Sequence, residues 1–410
     1  MEHIKPDDDT TPGLVARDLV GEVWPGAQPG TDPVLYGHVD IEPKGPVAVR
    51  SHATFSVRYT VGRFGLDDTG AIRIVFRAIG DSEHLQTDDP AAPNHVSATS
   101  SSGVPLEVRY LGRGAAARPR WKALTVNVTG GYLAEGDEIT IVVGDTSGGS
   151  PGWALQTIAE PAFEFAVLAD VCAVGHFIPI PNSPAVAIVP GPPVRWVAVL
   201  PSLRRPGEPF QLGIKAEDLW GNPTPDAPAT LHLTSNVTVQ GLPHVVEHVR
   251  GQRAMTIEGL RVEDPGTVRI DVRGDDGQLL AQSHPLVIRH GPVSGYWGDM
   301  HGQSGESIGL TTAEQYFDFA RNAAFLDATG HQANDFQVNN AFWDHLQNLT
   351  ARYDEPGRFV AMPGYEWSGN TAVGGDRNVY FRTEGRQIRR SSHALLTDRS
   401  DIDTDANDAR

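Results

Sequence analysis

Gly298-Asp299-Met300-His301-Gly302-Gln303-Ser304 closes a Trp-led stretch with an acidic residue and a histidine two positions apart. Side chains alternate between the faces of a strand, so Asp299, His301 and Gln303 are expected to project from the same face. Two similar strand ends follow, Thr329-Gly330-His331 and Pro363-Gly364-Tyr365-Glu366-Trp367. Three strands that each deliver His or Glu at the C-terminal end are the means by which an α/β barrel assembles a hydrolytic metal site.

The sequence between these strand ends carries a helical period. Thr311-Thr312-Ala313-Glu314 has capping-box form and predicts a helix to about Leu326. Tyr316, Phe319, Ala320 and Ala323 fall on one face at spacings of three and four. Residues 325–330 read as a buried strand. Val338, Phe342, Leu346, Leu349 and Tyr353 give the next amphipathic helix. Residues 358–363 predict a third strand and 377–381 a fourth. Such alternation means parallel βαβ units with right-handed crossovers.

Upstream the period is two. Phe55, Val57, Tyr59 and Val61 alternate with polar residues, and Ile72/Ile74/Phe76, Leu106/Val108/Tyr110 and Ile139/Ile141/Val143 repeat the pattern. Residues 34–175 are therefore expected to form an antiparallel β-sandwich, preceded by an N-terminal arm over 1–33. The Pro-rich segment 176–193 reads as an extended linker. Phe210/Leu212/Ile214 and Val268/Ile270/Val272, with the turn Asp218-Leu219-Trp220-Gly221-Asn222-Pro223, predict an immunoglobulin-like sandwich over 194–290. The fold class is multidomain: two β-sandwiches, then from 295 to 410 the first half of a distorted α/β barrel.

Composition bounds the function. With 410 residues and 40% apolar content, two or three folded domains are expected. A net charge of −18 argues against nucleic acid or an anionic membrane as the main partner. Cys172 is the sole cysteine, which excludes a disulfide framework and a cysteine-based zinc site. The Asp-rich start lacks the apolar core of a signal peptide and no run approaches a membrane span, so a cytoplasmic protein is expected. The composition is open to a homo-oligomer.

His301 and His331 offer imidazole nitrogens and Glu366 a carboxylate, ligands that suit Zn, Mn or Fe better than Ca or Mg. Asp299 and Gln303 could complete the metal site, and Asp335 or Asp376 could serve as second ligand or general base. Each has a structural reading beside it. A strand-end histidine is commonly a hydrogen-bonded core residue, and Asp335 could cap a helix. Ser304 has no adjacent base pattern for nucleophilic work.

At these residues the chain from about 295 to 383 resembles the metallohydrolase barrel named after polymerase and histidinol phosphatase, the PHP superfamily. More closely it looks like an uncharacterised bacterial branch, domain of unknown function 3604, in which a β-rich half precedes the barrel. The segments that carry the likeness are 297–306, 327–336, 363–371 and 374–381. The resemblance implies a distorted (β/α)₇ barrel of the TIM type and a cluster of divalent metals that activates water against phosphate esters. The superfamily's Asp-x-His-x-His falls on Asp299, His301 and Gln303. Its Thr-Asp-His falls on Thr329, Gly330 and His331, its Glu on Glu366, and a later His on Asp376. Gln303, Gly330 and Asp376 depart from the pattern, so one or two metal ions are expected instead of three.

About 115 residues follow Gly295, whereas such a barrel needs roughly twice that. The chain is therefore expected to be the first part of a longer protein, prone to association when expressed alone. The function expected is a metal-dependent hydrolase acting on a small-molecule substrate, with a phosphoester favoured by the resemblance. The alternative is a non-catalytic binding protein, its sandwiches recognising a partner and its barrel degenerate.

Overall fold

The structure, a computed structural model, describes residues 32–113, 119–393 and 396. The arm expected over 1–33 and the acidic stretch 401–405 fall outside these, apart from Asp32 and Pro33. The described chain is mostly β, arranged as several sandwich sheets followed by an α/β module.

In the first sandwich one sheet runs His38–Glu42, Phe55–Thr60, Glu138–Val143, Val96–Ser100, all antiparallel. Facing it are Ile178–Pro179, Ala166–Asp170, Ala71–Arg77, Arg120–Val128 and Leu106–Leu111. The period of two decides the burial: Phe55, Val57, Tyr59, Ile72, Ile74, Ile139, Ile141 and Val143 are all buried in one core. Leu106, Val108 and Tyr110 lie on an edge strand and are only half-buried against it.

Residues 176–193 are not a free linker. Ala185–Val189 pairs with Glu160–Glu164 on one side and Val47–Ala48 on the other, and Val186 and Ile188 enter the core. The alternation Ala185-Val186-Ala187-Ile188 outweighs the surrounding proline content, because Pro184 and Pro190 bracket the strand without interrupting it.

The second sandwich sets Arg195–Val199, Phe210–Glu217 and Met255–Leu260 against Val245–His248, Ala229–Ser235, Ile270–Arg273 and Leu279–Gln282. The turn expected at Asp218 forms: its carboxylate accepts from Trp220 N and Asn222 N at 2.9 Å, and Gly221 has φ +87. The same turn grips the first sandwich, where Asn222 donates to Thr157 O and accepts from Ala159 N.

The α/β module contains β1 (Gly298–Gly302), α1 (Ala313–Asn322), β2 (Ala328–His331), α2 (Asn340–Tyr353), β3 (Val360–Met362), β4 (Gly364–Trp367) and β5 (Arg377–Tyr380). β1, β2 and β3 form a parallel sheet in that order, as the βαβ pattern requires. β4 and β5 instead form an antiparallel pair, with Pro363 separating β3 from β4. No barrel is evident among the described residues.

Two details of α1 differ from the sequence pattern. The capping box is Thr312 with Gln315, one position on from Thr311 and Glu314, because Glu314 turns outward to pair with Arg352 of α2. The buried stripe is Ala313, Phe317 and Ala320, leaving Phe319 exposed. In α2 the expected face, Phe342, Leu346, Leu349 and Tyr353, is buried, with Val338 beside it.

Candidate functional site

β1 ends beside β4 and β5, and there His301, Gln303 and Glu366 meet. His301 Nε2 lies 3.6 Å from Glu366 Oε2. Its Nδ1 lies 2.8 Å from Asn378 Oδ1. The Asn378 amide nitrogen donates to Tyr380 Oη, so its oxygen faces the ring. That oxygen can only accept, so His301 Nδ1 is the donor to it and Nε2 is the ring atom turned toward the carboxylate.

Glu366 is buried, and its Oε2 accepts from Gln303 Nε2 and from Asn334 Nδ2, each at 2.8 Å. Gln303 is fixed in turn by Ser307, whose hydroxyl donates to its Oε1 at 2.9 Å. Asn334 also donates to Ser368 Oγ, and its own Oδ1 is buried without a partner. The chain can pass close here because Gly302 has no side chain: a Cβ would lie 2.1 Å from the Tyr316 ring.

The other sequence candidates have partners of their own. His331 is buried among Tyr316, Phe317 and Phe342, with ring centroids 5.3, 6.3 and 6.2 Å away. Its Nε2 meets Ser304 Oγ at 2.8 Å. Burial, with His345 nearby, pushes its imidazole down to about 3. Ser304 is itself buried, so this Ser–His pair presents no open nucleophile. Asp335 is buried and accepts from Ser368 N at 2.9 Å and from Ser391 N and Oγ. Burial raises its carboxyl above the usual range, against the pull of those donors. Asp376 is exposed, and Asp299 is exposed with its carboxylate on His301 N at 3.0 Å. No three His, Cys, Asp or Glu side chains converge as a metal-holding group among the described residues.

Sequence reasoning missed Asn334, Asn378 and Ser307. Asn378 is the cross-strand partner of Glu366. It reaches the site through the register of β5 on β4, which no pattern along one strand announces. The stretch after β2 also leaves His331 Nδ1, Gln332 Oε1, Asn334 Oδ1 and Gln337 Oε1 buried without partners. In all three amides the nitrogen already faces an acceptor, so the oxygens cannot be exchanged by flipping. Buried acceptors left in this way call for a donor, a water or a cation.

The fold and the cluster thus define a mostly-β multidomain protein with a C-terminal α/β module that holds a polar strand-end site. Residues 288–403 match a family described as a protein of unknown function, DUF3604. An uncharacterised protein of Chlamydia pneumoniae is 22% identical over 185 residues, covering 43% of this chain and 29% of that protein. The chain thus spans under a third of that relative's length. Among solved structures, the Escherichia coli adhesin FdeC is 14% identical, covering 63% of this chain and 65% of its own, with a TM-score of 0.27. The D00-D0 domain of intimin is 11% identical, covering 62% of this chain and 100% of its own, with a TM-score of 0.24. No helix among the described residues is long and apolar enough to cross a membrane.

Proposed function

We propose that the strand-end cluster binds a divalent metal ion and that the full-length protein is a metal-dependent hydrolase. One observation carries the reading. His301 Nε2 and the Glu366 carboxylate face each other at 3.6 Å, while Nδ1 is taken up by Asn378 Oδ1. With Nε2 deprotonated, a mixed imidazole–carboxylate pair suits Zn, Mn or Fe, and metal uptake then competes with a plain His–Glu ion pair. Asn334, whose amide nitrogen donates to the same carboxylate, keeps a buried Oδ1 without a partner. One His and one Glu are too few for a three-metal cluster, and a single ion held there would need further ligands such as water.

Bound there, such an ion would lower the pKa of a water toward neutrality and polarise a scissile bond. The protein's part is to hold the donors. Asn378 orients the His301 ring, and Gln303 and Asn334 hold the Glu366 carboxylate in place. Asp335 is saturated by Ser368 N and by the Ser391 amide and hydroxyl, so its carboxylate is already engaged. We read β1, β2 and β3 as the opening of an α/β barrel, and the phosphoester class rests on resemblance alone.

Titration calorimetry of the chain with manganese and zinc tests the metal. One ion per chain is expected, with affinity at least about a hundredfold weaker in His301→Ala and in Glu366→Gln. A folded wild type that takes up neither metal overturns the reading and returns the protein to the non-catalytic binding alternative.

A further inference from the structure

The site cluster hangs on the loop between β1 and α1. Gln303 donates to Glu366, Ser304 bonds His331, and Ser307 fixes Gln303. The loop is folded on itself, with Gly309 N and Ser307 N donating to Ser304 O at 2.7 and 3.1 Å. Glu306, buried, turns both carboxylate oxygens to Ala313 N at the start of α1, each at 3.1 Å.

What grips this loop from outside is a residue of another domain. Arg77, the last residue of the strand Ala71–Arg77, donates through Nη1 to Gly305 O at 2.6 Å and to Gly309 O at 3.0 Å. The first of these contacts joins residues 228 positions apart. The fit is close: a Cβ on Gly305 would stand 3.2 Å from Arg77 Nη2 and 3.1 Å from Thr311 O. Arg77 lies among Glu160, Glu164 and Glu306, with Arg120 opposing; burial and Arg120 lower its guanidinium to about 10, so it stays charged at neutral pH. A charged donor shared by two carbonyls fixes a loop more firmly than a neutral one.

We propose that Arg77 is a positioning residue of the strand-end site, by which the first sandwich sets the loop that carries Gln303, Ser304 and Ser307. The proposal rests on the site reading given above, and it makes the sandwich part of the site's framework, not an independent recognition module. Loop closure in many enzymes depends on such remote supports, because a small misplacement of a positioning group is costly.

The test is amide exchange and histidine imidazole resonances of the full chain, measured without added metal. In Arg77→Met, exchange over 304–309 should quicken by about tenfold or more, since two charge-assisted bonds are lost. The imidazole signals of His301 and His331 should move, while amides of the second sandwich keep their wild-type rates. Arg77→Lys, which retains the charge but not the fork, should fall between. If Arg77→Met does not fold, Gly305→Ala approaches the same contact from the loop side and should give the same pattern. Unchanged loop exchange and unchanged histidine signals, with only the first sandwich loosened, would overturn the proposal. A wild type that binds no metal would remove the hydrolase reading and leave this result standing.

Discussion

At the residue scale, what matters is that amide side chains hold both His301 and Glu366. Asn378 fixes one partner, Gln303 and Asn334 the other. Asn378→Ala should therefore weaken metal binding by about ten- to a hundredfold, measured by calorimetry, while leaving His301 in place. Affinity equal to wild type would mean that the ring is oriented by something else. How far such a site can be read in advance follows from the same residues. His301 and Glu366 were legible because each sits on a strand that ends at the site, whereas Gln303 lies one residue past β1 and reaches Glu366 from the loop. Asn378 was not, because its role depends on which residue of a neighbouring strand lies opposite Glu366, and register is a tertiary fact. His331 was misleading for a different reason. Its position at a strand end is that of a ligand, but aromatic rings from both helices close over it.

At the element scale, α1 shows how a repeated residue type shifts a boundary by one position. Thr311 and Thr312 both offer a cap, and Glu314 and Gln315 both offer the reciprocal acceptor. Thr312 and Gln315 form the box, at 3.2 Å in each direction. Thr312→Ala should cost about 1 kcal/mol in urea unfolding, and Thr311→Ala much less. The reverse order would place the helix start one residue earlier. The apolar stripe moves in step, so Phe317→Ala should cost about 3–5 kcal/mol, the loss expected for a buried Phe, and Phe319→Ala little. The strand Ala185–Val189 carries the opposite lesson: a segment whose composition suggests a loop is paired on both sides because its alternation suits a sheet. Limited proteolysis should spare 185–189 as fully as the strands beside it. Preferential cutting there would contradict the pairing.

At the scale of the whole molecule, charge is buried where the first sandwich meets the α/β module. Burial raises Glu160 to about 7, against the pull of Arg77, the Gln156 amide and Arg120. The unfolded chain releases this proton near the ordinary 4.5, while the folded chain keeps it to about 7. Between those values the folded state binds more protons, so stability is fullest below 4.5 and declines as pH rises through 7. Glu160→Gln should remove that decline and melt above wild type at about pH 8. A parallel loss of Tm in both proteins would assign the slope elsewhere. The contact of Arg77 with the loop 303–310 also bears on how the molecule is made. A chain leaves the ribosome from its N-terminus, and domains fold as they emerge. The sandwich that carries Arg77 is finished before Gly305 has been synthesised, so the loop closes on a ready surface and gives up only its own short-range freedom. Synthesised in the opposite order, the same contacts would have to join two unfinished halves. The gene order is thus itself a folding instruction, and a permuted chain with the α/β module first should reach the same structure more slowly.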